Sequence, residues 1–127
     1  MFGNKKKKKQ KEYLLGASDI RPLLATKMGC IATDRITVDG CRVGFFYREE
    51  PSEGLPDTGW RFFAGDESDE YLDDPDNSSV YCLNTIANYD REIIPYLDSA
   101  VGSAYYRDPR TGKFVLDREW MEENSRA

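Results

Sequence analysis

Two short segments, Val43-Gly44-Phe45-Phe46-Tyr47-Arg48 and Gly59-Trp60-Arg61-Phe62-Phe63-Ala64, carry large aromatic side chains at odd and even positions alike. Successive side chains of an extended chain point to opposite faces. Each segment therefore has bulk on both faces, which suits a strand inside a sheet that is covered on each side. In the first, alternation puts Val43, Phe45 and Tyr47 on one face and Phe46 on the other. In the second, Trp60, Phe62 and Ala64 share a face, and Arg61 and Phe63 take the other. Turn formers bound them: Asp39-Gly40 before the first, and Pro51, Gly54, Pro56 and Gly59 between the two.

The other elements are shorter. Residues 28–33 and 80–83 read as brief strands. Residues 103–107 and 113–117 flank Asp108-Pro109-Arg110-Thr111-Gly112, a hairpin with Pro and Gly in turn positions. Ser18 or Asp19 is placed to cap a turn ahead of Pro22, and Asn84 or Thr85 to cap a helix through Tyr89. Asp90 starts a turn that carries Ile93, Ile94, Tyr96 and Leu97, with Pro95 limiting it. Residues 118–127 read as a frayed helix anchored by Trp120 and Met121. The sum is an α+β fold: a mostly antiparallel sheet of about five strands with short helices on one side. A length of 127 residues suits one domain, which we place at 13–127 behind a disordered, Lys-rich head at 1–12.

Charge is divided unevenly between these parts. Six lysines and one glutamate give the head +5, so the remaining chain carries −10 of the net −5. A body this acidic repels nucleic acid and attracts basic surfaces. The head is open to contact with anionic polymers or lipid, or is simply solvated. No apolar run approaches the length of a membrane span, and the stretch behind the lysines is too short for a secretory signal. The expected location is the cytoplasm. Cys30, Cys41 and Cys82 are odd in number and widely spaced, as reduced thiols are, and Cys30 lies in an apolar strand as a core residue would.

The chain contains no histidine. That removes Ser-His and Cys-His nucleophile activation and the commonest general base near neutral pH. A Gly-rich phosphate loop, a dinucleotide fingerprint and a nucleophile elbow are also missing. Paired carboxylates can hydrolyse glycosides without histidine, but they need a deep cleft that elements this short rarely build. No catalytic residue is assigned, no cofactor is expected, and the chain reads as non-enzymatic. The acidic run at 66–77 fails the EF-hand pattern, because its sixth residue is Tyr71 and its twelfth Asn77. It is open to three readings: a solvated loop, a partner-facing surface, or an irregular metal site. No metal ligand is assigned. Trp60 is open to two, a core aromatic or an interface anchor, and Arg61 is placed to pair with a carboxylate of the acidic run.

Several strings stand in order along the chain: Thr33-Asp34-Arg35-Ile36, Val43-Gly44-Phe45-Phe46-Tyr47-Arg48-Glu49-Glu50-Pro51 and Gly59-Trp60-Arg61-Phe62-Phe63-Ala64-Gly65-Asp66-Glu67. They continue with Tyr71-Leu72-Asp73-Asp74-Pro75-Asp76-Asn77, Leu83-Asn84-Thr85-Ile86-Ala87-Asn88-Tyr89-Asp90 and Ile93-Ile94-Pro95-Tyr96-Leu97-Asp98-Ser99. Together they resemble the bacterial immunity protein 33 family over residues 28–116. The resemblance implies a role in polymorphic toxin systems, in which such a protein blocks a cognate toxin in the cytoplasm of the producing cell. It brings no catalytic or binding residue set with it. With an acidic body, the implied partner is a toxin protein with a basic surface. The expected contact residues are Asp66, Glu67, Asp69, Glu70, Tyr71, Asp73, Asp74 and Asp76, with Trp60 or Tyr71 as anchor. The alternative is a non-catalytic regulatory or scaffolding module.

Overall fold

Phe45, Phe46 and Tyr47 alternate as the period-two rule requires, and that alternation divides the fold into two faces. The computed structural model describes residues 10–125. Its main elements are β1 (Gly29–Thr33), α1 (Asp34–Thr37), β2 (Phe45–Arg48), β3 (Asp57–Phe63), α2 (Asp69–Asp73) and β4 (Ser78–Cys82). After these come α3 (Leu83–Tyr89), β5 (Ala104–Arg107), β6 (Phe114–Leu116) and α4 (Arg118–Asn124). Among the described residues the six strands form one sheet in the order β4-β1-β3-β2-β5-β6. The β1–β3 pair is parallel and the other four pairs are antiparallel. The fold is α+β, as the sequence implies.

One face of the sheet builds the main core. Phe46, Trp60 and Phe62 are completely buried there with Ile36 of α1, Ile86 of α3 and Ile93 of the 3-10 turn Arg91–Tyr96. Phe46 stacks on Phe62 with ring centroids 5.4 Å apart and meets the Phe114 ring edge-on at 5.0 Å. Trp60 Nε1–H donates to the Leu97 carbonyl at 3.2 Å, which satisfies the polar end of a buried indole. The opposite face carries Phe45, Tyr47 and Phe63, and α4 lays Trp120 onto it 4.6 Å from the Tyr47 ring. Most of the helical cover therefore lies on one side, while α4 and α2 reach the other.

Several local expectations are revised. Val43 joins the main core instead of the Phe45–Tyr47 face, because β2 begins only at Phe45 and the chain ahead of it is free of strict alternation. The link between the two is Gly44: a Cβ there would stand 2.0 Å from the Ala64 carbonyl oxygen, so this close passage excludes a side chain. Asp39-Gly40 does turn the chain, but as the exit of α1 and not as a β-hairpin. Residue Cys82, not Asn84 or Thr85, precedes α3. The Asn84 side chain reaches away from the helix instead: its Oδ1 accepts from Leu23 and Leu24 N–H, each at 2.8 Å, and its Nδ2 donates to the Arg21 carbonyl.

Of the head expected at 1–12, residues 1–9 lie outside the described residues. Lys11 is held at 2.9 Å by Asp34 and at 2.8 Å by Ser79, so the ordered body extends ahead of residue 13. At the other end α4 is capped by Asp117, which accepts from Trp120 N–H at 3.0 Å. Replacing Trp120 with alanine removes its ring contacts with Phe45 and Tyr47. Each such contact contributes roughly 0.5–1.5 kcal/mol beyond burial, so with two of them lost Trp120→Ala is expected to cost about 1–3 kcal/mol in urea unfolding. An unchanged midpoint would mean that α4 is frayed in solution.

Candidate partner-binding surface

Eleven of the chain's acidic residues lie in two stretches that flank β3: Glu49, Glu50, Glu53 and Asp57 before or at its start, and Asp66, Glu67, Asp69, Glu70, Asp73, Asp74 and Asp76 after it. Their side chains divide into those that hold the fold and those that face outward. Glu67 is the first kind. Its carboxylate accepts from Thr33 Oγ1 at 2.6 Å, Ala64 N–H at 2.8 Å and Gly65 N–H at 2.9 Å, which clasps the end of β3 against β1. Asp66 receives both Nε and Nη2 of Arg35, at 3.2 and 2.7 Å. That guanidinium holds the Asp66 carboxyl below the usual carboxylate range.

The helix α2 between them is short but well fixed. Ser68 caps it by accepting from Tyr71 N–H at 3.1 Å, and Asp74 caps the following 3-10 turn, Pro75–Asn77, by accepting from Asp76 N–H at 3.0 Å. Asn77 Nδ2 donates to the Tyr71 carbonyl at 2.9 Å and closes the pair. Tyr71 is half-buried; burial, with the nearby Asp34, Asp39 and Glu67 charges, raises its hydroxyl pKa. Asp69, Glu70 and Asp73 are exposed and make no ion pair among the described residues. Asp69 and Glu70 in the first turn also favour the helix by opposing its dipole.

Arg61 does not reach this run. It is buried under the sheet's outer face and donates Nη1 and Nη2 to Asp57 at 2.9 and 2.7 Å, and Nε to Glu49. The expected pairing fails because Arg61 points along β3 toward its start, while the acidic run leaves from its end. Trp60, expected as a possible anchor, is completely buried and offers a partner no surface. Its strand sets it on the core face, and its indole N–H is already used.

Sequence reasoning missed the apolar part of this surface. Ile31, Tyr47, Phe63, Tyr71 and Leu72 line a groove of about 360 Å³ on the outer face, with Glu49 and Asp74 at its rim. Beside it Ile31, Leu55, Pro56 and Val80 line a second groove of about 330 Å³. Val80 is 74% exposed and Leu55 66%. The signal for Val80 is its register opposite Ile31, which requires knowing that β4 is an edge strand.

The carboxylates whose pKa moves markedly are Asp57, Asp66 and Glu92, and all move down beside arginines. A general acid needs the opposite shift. Among the described residues no three His, Cys, Asp or Glu side chains gather as a metal site. No helix among them is long and apolar enough to cross a membrane.

A family model described as the Immunity protein Imm33 domain matches residues 30–117. No curated protein and no solved structure matches the chain.

Proposed function

The chain belongs to the Imm33 immunity protein family, and from that premise we propose that it binds and neutralises a cognate toxin domain in the cytoplasm by surface complementarity. The observation that carries this reading is the fixed α2 segment. Asp66, Glu67, Ser68 and Asn77 hold it in place, while Asp69, Glu70 and Asp73 project into solvent. Rigid, outward carboxylates are what a basic groove recognises: they occupy the positions that substrate phosphates would take on a toxin that attacks nucleic acid. Asp74 and Tyr71 extend the same surface. Asp66 and Glu67, although in the run, contribute by fixing its geometry.

The test uses the product of the neighbouring gene as the candidate toxin, with the immunity chain as bait. Retention at low salt, weakening as salt rises, is the expected result. The triple change Asp69→Asn, Glu70→Gln, Asp73→Asn should slow association at least about tenfold at low ionic strength. It should lower the thermal midpoint only slightly, because none of the three side chains makes an ion pair among the described residues, and the loss is confined to the dipole contribution of Asp69 and Glu70 to one short helix. Failure to retain the toxin at low salt would remove the reading.

A further inference from the structure

Among the described residues β4 ends the sheet, and its outer edge meets an apolar strip. Among the described residues no backbone group outside β1 bonds to the β4 backbone. Lys11 and Tyr13 approach it only through the side chains of Ser79 and Tyr81, which alternate to the core side. Val80 points to the outer face and is 74% exposed. A branched apolar residue at the middle of an open edge strand invites pairing with another chain, and proteins normally protect such a position with charge or proline. Here the exposure continues inward. Ile31 is common to both outer-face grooves, so Leu55, Val80, Ile31 and Leu72 form a continuous strip across β4 and β1.

The surroundings of the strip select its occupant. Glu49, Glu50 and Glu53 lie on the β2–β3 loop at one flank, and Asp73 and Asp74 close α2 at the other. Arg61 beneath is already bound by Asp57 and Glu49. Lys27 is the basic side chain at the rim. Pairing of β4 with β4 of a second copy would bring two acidic bodies edge to edge, which like charge opposes.

Resting on the toxin-binding reading above, we propose that an extended segment of the partner with alternating apolar and basic residues adds to β4 as a seventh strand. Its apolar side chains seat on Val80, Ile31 and Leu55, and its Lys or Arg side chains face the two acidic flanks. Backbone bonds to the edge supply affinity, and the strip supplies register.

The test uses three synthetic octapeptides on the full chain: alternating Lys–Val, alternating Glu–Val, and octalysine. The Lys–Val peptide should slow amide exchange across Ser78–Cys82 and shift the methyl resonances of Ile31, Leu55 and Val80. Val80→Asp, at an exposed position, should weaken that binding at least about tenfold. Octalysine should leave the three methyls in place. Equal binding of the Glu–Val peptide overturns the proposal, as does Lys–Val binding without protection of β4, or concentration-dependent protection of β4 in the peptide-free chain. The two readings fail separately. Toxin retained with β4 unprotected in the complex removes the added strand alone; β4 protected by the Lys–Val peptide with no toxin retained removes the toxin reading alone.

Discussion

Arg61→Met is expected to lower the unfolding free energy at pH 7 by about 3–5 kcal/mol, the usual cost of removing one member of a buried ion pair. The Arg61 side chain is 5% exposed and that of its main partner Asp57 is 11%. Methionine fills much the same volume, so the loss isolates charge and hydrogen bonding from packing. Asp57 would keep Ser52 N–H and Gly59 N–H as donors, at 2.8 and 3.0 Å, but would lose the guanidinium that holds its carboxyl far below the ordinary range. The pH dependence follows from that depression. An Asp with a lowered folded pKa contributes stability that is present above its unfolded value of about 3.9 and is lost as pH falls through the folded value. The gap between parent and variant should therefore be widest near neutrality and narrow below about pH 4. Denaturant unfolding at pH 7 and pH 3 checks both parts. A loss below about 1 kcal/mol at pH 7, or a gap that widens in acid, would contradict the assignment of Arg61 as a buried pair member.

Arg61 also marks how far the sequence could be read. Its face was legible, because strict alternation across Trp60, Arg61, Phe62 and Phe63 needs only local geometry. Its partner was not. Choosing between Asp57 and the run at 66–77 requires the direction of a side chain along the strand, which no periodicity encodes. The same boundary runs through the rest of the fold. The aromatic strands, the first of them shortened to Phe45–Arg48, the Asp108–Gly112 hairpin and the Asp90 turn follow from local signals. The parallel β1–β3 pair, the edge position of β4 and the helix α1 depend on which segments meet in space. At the candidate surface, the acidic run was visible as charge. Its division into Glu67 as clasp, Asp66 as ion-pair partner and Asp69, Glu70 and Asp73 as outward groups became visible only with Thr33 and Arg35 in place. The apolar strip was invisible because Leu55, Val80 and Leu72 are isolated residues in three unrelated segments.

Asp90→Ala should be about as damaging, at roughly 3–4 kcal/mol, because this one carboxylate joins three elements. Asp90 is 7% exposed. Its Oδ2 accepts from Val43 N–H at 3.0 Å and from Arg107 Nη2 at 2.7 Å, while Oδ1 accepts from Glu92 N–H at 3.1 Å. It thereby caps the Arg91–Tyr96 turn, holds the lead-in to β2 and pairs with the last residue of β5. Arg107 would retain Glu92, the Val43 and Gly112 carbonyls and the Phe114 ring beneath it at 4.2 Å. Val43 N–H has no such reserve, since the residue is completely buried and water does not reach it. An unsatisfied buried donor costs about 1–3 kcal/mol by itself. Asp90→Asn separates the two contributions: it keeps one acceptor oxygen and the shape but loses the charge, so a cost near half that of alanine is expected. Urea unfolding of both variants, with amide exchange read at Val43, measures the difference. If alanine and asparagine cost the same, the charge on Asp90 and not its position as an acceptor is what secures these elements; if alanine costs under about 1 kcal/mol, the three-way junction contributes little to stability.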